Sequence, residues 1–387
     1  WFFPLLILGL ILPGCVTKYE SEWAVLDDVR SVDCDRWPTN EEDLRVDQMF
    51  IHGGNRPMLL VGAVSRTSEP VTYSVRLDDD GDFDRDDAKK LPLGRYGELL
   101  DAITFNGKVM AVVAQNTSKG TTIELRDAVT NVVRHSIVGL GSGVDRGKTF
   151  LTKSGFWFVY DDEEGATQII FVPNTKKAKL TYRTVKGLSI ADQPFFFTDP
   201  TSSKAFVSFR SDSQKIGNKA QFVIAEVFEN GTNKKLGEVD LKIKDNLESW
   251  VVARGQGQYL FAFIDGDSLV GDARLRVVGY QPSSTGTLRE AFGQEQRLLD
   301  VHVSDPIIYQ NNNDTKIFLL QWLDAESTVA TYDLKGSKLS PRVVSGVFKT
   351  GSRIQQVAKL DPDEPFIVVR TKDDLNWNFQ LCRMSDL

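Results

Sequence analysis

The chain has 387 residues, 41% of them hydrophobic and 26% charged, with a formal net charge of −7. That balance describes a globular protein and excludes a nucleic-acid binder, which needs a basic stripe to displace counterions from phosphates. Only three His are present, which leaves no room for His-rich metal chemistry.

Residues 1–14 read WFFPLLILGLILPG and carry no charge. An apolar run this short does not span a bilayer, which takes about 20 residues, but it fits the core of a secretory signal. Neither an initiating Met nor a basic stretch precedes it, so we read it as the remainder of a longer leader. It runs into Leu12-Pro13-Gly14-Cys15, which resembles the lipobox of bacterial lipoproteins. The resemblance implies cleavage before Cys15 and a lipid on its thiol. Val16 follows, where retention at the inner membrane calls for Asp, so the resemblance points to the outer membrane. The expected organisation is a signal peptide over 1–14, a lipidated segment with a closing strand over 15–45, and a repeat domain over 46–387.

The repeat is a turn of Gly, Pro, Asn, Asp or Ser followed by a strongly apolar run. The runs begin at Leu59, Val109, Phe156, Ala205, Tyr259, Ile317 and Phe366, spaced 50, 47, 49, 54, 58 and 49 residues apart. A strand candidate precedes each turn, and a more clearly alternating one follows each run, such as Thr122–Arg126 or Arg274–Tyr280. A weaker fourth strand is visible at Lys179–Thr184. Three or four antiparallel strands per unit of about fifty residues make the blade of a β-propeller. The sequence therefore predicts an all-β, seven-bladed β-propeller. Two β-sandwiches would not explain seven runs at six near-equal spacings. Helical patterning is confined to one short turn at Glu41–Met49.

The final strand candidate, Asn376–Cys382, is the third of its blade, so a fourth must come from the N-terminal side. Glu22–Val29 (EWAVLDDV) is the expected donor. Cys34 lies just beyond it and Cys382 on the strand it would pair with, so a Cys34–Cys382 disulfide would staple the ring. The likeness to bacterial propeller lipoproteins is one of architecture over 15–387; no WD, kelch or other blade signature is present.

Between Asp78 and Asp87 seven of ten residues are Asp, around Gly81. The stretch resembles the calcium loops of dockerins and integrin-type propellers, which implies Asp78, Asp80, Asp82, Asp84 and Asp86 as ligands for a structural Ca²⁺. Lys89 stands where an EF-hand has its bidentate Glu. Loops after the apolar runs are often acidic (Asp161–Glu164, Asp265, Asp267, Asp272, Asp324, Glu326, Asp373 and Asp374), which is first of all the ordinary polarity of loops; the alternative is an acidic rim on one face, diluted by Arg66, Lys119 and Lys215.

No GxSxG, HExxH or CxxC motif is present, and His52, His135 and His302 fall in different repeats. The expected function is a non-catalytic envelope scaffold that binds a protein partner through its face loops and the membrane through its lipid. The alternative is a channel-mouth enzyme, a metal-assisted hydrolase or polysaccharide lyase, drawing on Asp101, Asp145, His302 and Asp305.

Overall fold

The structure is a computed structural model. It describes residues 33–37, 44–52, 57–65, 69–78, 82–105, 107–138, 140, 144, 146–161, 167–173, 194–199, 202–210, 219–255, 257–266, 272–283, 287–299, 302–311, 314–323, 326–349, 352–359, 365–373 and 376–383. Residues 1–32, with Cys15 and the Glu22–Val29 segment, lie outside them, as does Lys179–Thr184.

After β1 (Asp33–Arg36), blade one holds β2 (Leu44–His52), β3 (Met58–Ser65), β4 (Pro70–Arg76) and β5 (Lys89–Pro92). Blade two holds β6 (Gly97–Phe105), β7 (Lys108–Thr117), β8 (Gly120–Asp127) and β9 (Val133–Ile137). Blade three shows β10 (Arg146–Leu151), β11 (Gly155–Asp161) and β12 (Thr167–Pro173). Blade four holds β13 (Phe195–Thr198), β14 (Ala205–Arg210), β15 (Lys219–Val227) and β16 (Asn233–Lys242). Blade five holds β17 (Leu247–Gly255), β18 (Gln258–Asp265), β19 (Asp272–Pro282) and β20 (Leu288–Leu299). Blade six holds β21 (His302–Val303), β22 (Ile307–Asn311), β23 (Asp314–Leu323), β24 (Glu326–Lys335) and β25 (Lys338–Lys349). Blade seven holds β26 (Arg353–Lys359), β27 (Pro365–Asp373) and β28 (Asn376–Arg383), and β1 completes it in the order β1-β28-β27-β26.

The first strands meet in a closed cycle: β2 touches β6, then β10, β13, β17, β22 and β26, which returns to β2. This is a seven-bladed β-propeller. Each predicted apolar run is the second strand of its blade, and its alternating partner is the third.

The second strands are apolar on both faces because each face meets a different neighbour. In β7, Met110, Val112 and Ala114 pack with Phe156 and Phe158 of blade three. The intervening Ala111 and Val113 pack with Met58 and Leu60 of blade one. A period of two thus distributes one strand between two cores. Among the described residues there are seven apolar clusters, one at each blade interface. Gly107 and Gly257 sit in the hairpins between first and second strands at φ +74° and +75°, where a side chain would be strained.

Two expectations are corrected. The closing strand is Asp33–Arg36, not Glu22–Val29. It pairs antiparallel with β28, Cys34 opposite Cys382, and the disulfide joins the two strands directly. Trp37, next along, is buried among Tyr73, Phe83 and Phe379, and its backbone N–H donates to the Phe379 carbonyl at 3.3 Å. The Glu41–Met49 helix is not formed: from Leu44 onward this stretch is β2, because the inner edge of β3 needs a partner over its whole length. A bulge between Val46 and Gln48 in that pairing disturbs the alternation that would have marked it as a strand.

Candidate functional site

The acidic loop leaves β4 and enters a 3₁₀ turn at Arg85–Asp87. Asp78 Oδ1 accepts from the Asp82 N–H at 2.8 Å, and the Asp78 N–H donates to the Asp82 carbonyl at 3.0 Å. Asp84 Oδ1 accepts from the Asp86 N–H at 2.8 Å. Asp78, Asp82, Asp84 and Asp86 are exposed; Asp80, with Asp79 and Gly81, lies outside the described residues. Among the described residues no three His, Cys, Asp or Glu side chains are grouped to hold a metal. The loop has an apolar root. Phe83 stacks on Trp37 with centroids 5.4 Å apart and planes 25° apart, so it rests on the residue that follows the closing strand.

The polar groups of the inner strands mainly join neighbouring blades. Asp101 lies at a bulge in β6 and reaches across to blade three. Its Oδ2 accepts from the Thr149 N–H and hydroxyl, both at 2.6 Å, and its Oδ1 from the Ala102 N–H at 2.8 Å. Burial pushes its carboxyl up, against the pull of those donors and of Lys148. His52 of blade one meets the Thr104 hydroxyl of blade two, and burial lowers its ring pKa. In blade seven, Gln356 acts as a surrogate strand. Its carbonyl accepts from the Ile51 N–H and its amide donates to the Ile51 C=O, both at 2.8 Å. Gln355 donates to the Met49 carbonyl at 3.0 Å.

The residues expected for a channel-mouth enzyme do not assemble among the described residues. Asp101 is engaged by Thr149, and Asp145 lies outside the described set. His302 pairs with Trp322 at the start of blade six, and exposed Asp305 follows it in the break between β21 and β22.

The acidic rim is also revised. Asp265, read as a rim charge, is fully buried. Its carboxylate accepts from the Lys244 and Asp245 N–H groups at 2.9–3.1 Å and from Arg276 at 3.1 Å. It therefore ties the connection from blade four to blade five onto β18. Asp161 accepts from the Thr167 hydroxyl at 2.8 Å.

A cleft of about 330 Å³ lies between blades three and four, on the side where the inner strands begin. Lys148, Tyr160, Asp161 and Thr167 supply its polar wall, and Phe150 and Phe195 its apolar one. Sequence reasoning missed this cleft because its walls come from two blades. It also missed Asp127, whose carboxylate ties the turn after β8 through the Val129 and Thr130 N–H groups, at 3.0 Å each, and pairs with Lys108 at 3.2 Å. The run Asp127-Ala128-Val129-Thr130-Asn131 is a capping-turn signal that could have found it.

No protein-family model matches the chain, and no curated protein matches it by sequence. Solved structures do. One is an oligogalacturonate lyase in complex with manganese (TM-score 0.53, 9% identity, 92% of this chain and 97% of that one). Another is Drosophila Plexin A in complex with Semaphorin 1b (TM-score 0.52, 10% identity, 92% and 87%). A third is the uncharacterized protein lmo1340 from Listeria monocytogenes EGD-e (TM-score 0.50, 12% identity, 88% and 94%). At such identities the likeness establishes the propeller fold and nothing finer.

Proposed function

We propose that the chain is a non-catalytic binding module of the bacterial cell envelope, held to the outer membrane by a lipid on Cys15, with its face loops turned to a protein partner. One observation carries the reading. Inner-strand polar groups, the enzyme candidate Asp101 among them, are engaged in joining blades: Asp101 to Thr149, His52 to Thr104 and Gln356 to Ile51. What the ring then offers to a ligand is its loops and edges. The test is crosslinking in native membranes. A stoichiometric protein attached through the face loops supports the proposal, and no such partner refutes it.

A structural Ca²⁺ at Asp78, Asp80, Asp82, Asp84 and Asp86 belongs to the same proposal. A hard cation there would relieve the repulsion of seven Asp and, through Phe83 on Trp37, brace the closing strand. Calcium should then raise the melting temperature, and Asp82→Asn should remove that rise. A second reading, a metal-assisted hydrolase or polysaccharide lyase, is favoured by the cleft between blades three and four with Lys148, Tyr160 and Asp161 on its wall. Turnover of a polysaccharide that is lost in Lys148→Ala would select it.

A further inference from the structure

Four half-buried arginines each hold a carboxylate: Arg126 with Glu124 at 2.6 Å, Arg254 with Asp199 at 3.3 Å, Arg274 with Asp245 at 3.2 Å and Arg276 with Asp265 at 3.1 Å. Arg210, the last residue of β14, is half-buried too and breaks the pattern. Its Nε is buried without a hydrogen-bond partner, and among the described residues its guanidinium makes no ion pair. Two positions back, Ser208 is fully buried, and its hydroxyl has no partner either.

Phe206, Ser208 and Arg210 alternate along β14 and share one face. Phe206 packs into the core between blades four and five, so the two unpaired donors turn toward blade five. Aromatic rings surround them. Phe222 stands directly opposite Arg210 on β15, and Phe195 opposite Ser208 on β13. Trp250 of β17 is half-buried and meets both rings, its centroid 4.6 Å from Phe222 and 5.7 Å from Phe195. Arg210 ends β14 and Phe195 begins β13, so the cluster lies at the face where the inner strands begin. The acids of this junction do not serve Arg210. Asp245 is taken by Arg274 and Asp265 by Arg276, and no ion pair joins the exposed Glu248 to Arg210 among the described residues.

We propose that Arg210, with Ser208 one step deeper and Trp250 beside it, receives a carboxylate of the protein partner, from an Asp or Glu side chain flanked by an apolar residue. A guanidinium offers a fork of N–H donors that matches a carboxylate, and a side-chain rotation on binding would bring Nε and Nη to it together. A half-buried cation without a counter-charge is costly, so an anion supplied on binding is favoured, and one positive charge in an apolar shell suits one negative charge better than a doubly charged phosphate. Arginine beside tryptophan is also the composition of an interface hot spot. The inference rests on the binding-module reading and deepens it by naming the group that the face recognises.

The test compares the wild-type chain with Arg210→Gln and Arg210→Lys, crosslinked in native membranes from the loops of that face. Arg210→Gln should lower recovery of the partner about tenfold or more, and Arg210→Lys should restore only part of it, because Lys keeps the charge without the fork. The melting temperature of purified Arg210→Gln should not fall, since no internal ion pair is lost. Two soluble probes read the ligand class by the side-chain N–H resonance of Arg210 in the purified wild-type chain: a peptide alternating glutamate with valine should shift it, and an oligogalacturonate should not. A melting temperature that falls in Arg210→Gln, which reveals an internal partner, or an oligogalacturonate that shifts the resonance in place of the peptide, would overturn the proposal. A partner recovered equally by the wild-type chain and Arg210→Gln removes this inference and leaves the binding-module reading standing. No partner from the wild-type chain removes that reading, and the peptide resonance then decides for Arg210: a shift supports the carboxylate site, and no shift overturns it.

Discussion

Breaking the Cys34–Cys382 bond should open the ring at one seam. The bond joins residues 348 positions apart, nearly the whole described chain. In the loop-entropy model a cross-link of that span disfavours the unfolded state by about 6 kcal/mol; residual structure in the unfolded chain lowers this, and 2–5 kcal/mol is the expected loss. After reduction β1 keeps four backbone-paired residues and the buried Trp37. The assay is guanidinium unfolding with and without reductant, with Cys34→Ser as the genetic equivalent. The midpoint should fall by on the order of half a molar. Hydrogen exchange at Asp33–Trp37 should accelerate before that of β27. Unchanged midpoint and unchanged protection after verified reduction would refute the idea that the closure seam limits stability.

Trp37→Ala should cost about 3–5 kcal/mol, since it empties a site between Tyr73, Phe83 and Phe379, and a thermal melt reads it directly. Gln356→Ala should cost about 2–4 kcal/mol because it strands the Ile51 N–H and C=O, and the loss should be non-additive with disulfide reduction at the same seam. Gly155→Ala would drive a methyl into the Val172 carbonyl oxygen, so a loss of about 1–3 kcal/mol is expected in the melt. Burial alone would raise the Asp127 carboxyl, but its N–H donors from Thr130 and Val129, with Lys108, outweigh that and hold it at about 2. A depressed pKa contributes stability above the unfolded value and loses it as pH falls. About 2 kcal/mol should therefore disappear between about pH 4 and pH 2, and Asp127→Asn should flatten that part of the stability profile.

The architecture was largely legible because a strand sandwiched between two blades is apolar on both faces, and such runs recur at the blade spacing. Leu59–Ser65 and Val109–Gln115 announce β3 and β7 without reference to anything distant. The closing strand was not legible in the same way. Asp33-Cys34-Asp35-Arg36 has little intrinsic strand preference, whereas Glu22–Val29 has more. What fixes β1 is long-range: the disulfide to Cys382 and the Trp37 socket. The cysteines did betray the seam, though not the strand that carries them. At the site level, Asp265 looked like a loop charge because it ends an apolar run. Only the fold shows that the Lys244 and Asp245 N–H groups converge on it. Asp101 and Thr149 are 48 positions apart and meet only when blades two and three are side by side.

We propose that this propeller binds a protein rather than transforming a substrate. In-cell photo-crosslinking from the loops of the face where the inner strands begin, followed by mass spectrometry of the membrane fraction, addresses it most directly. The expected result is one protein recovered in stoichiometric amount through those loops. Recovery of no protein, together with a polysaccharide or metal held in the cleft beside Lys148 and Asp161, would contradict it.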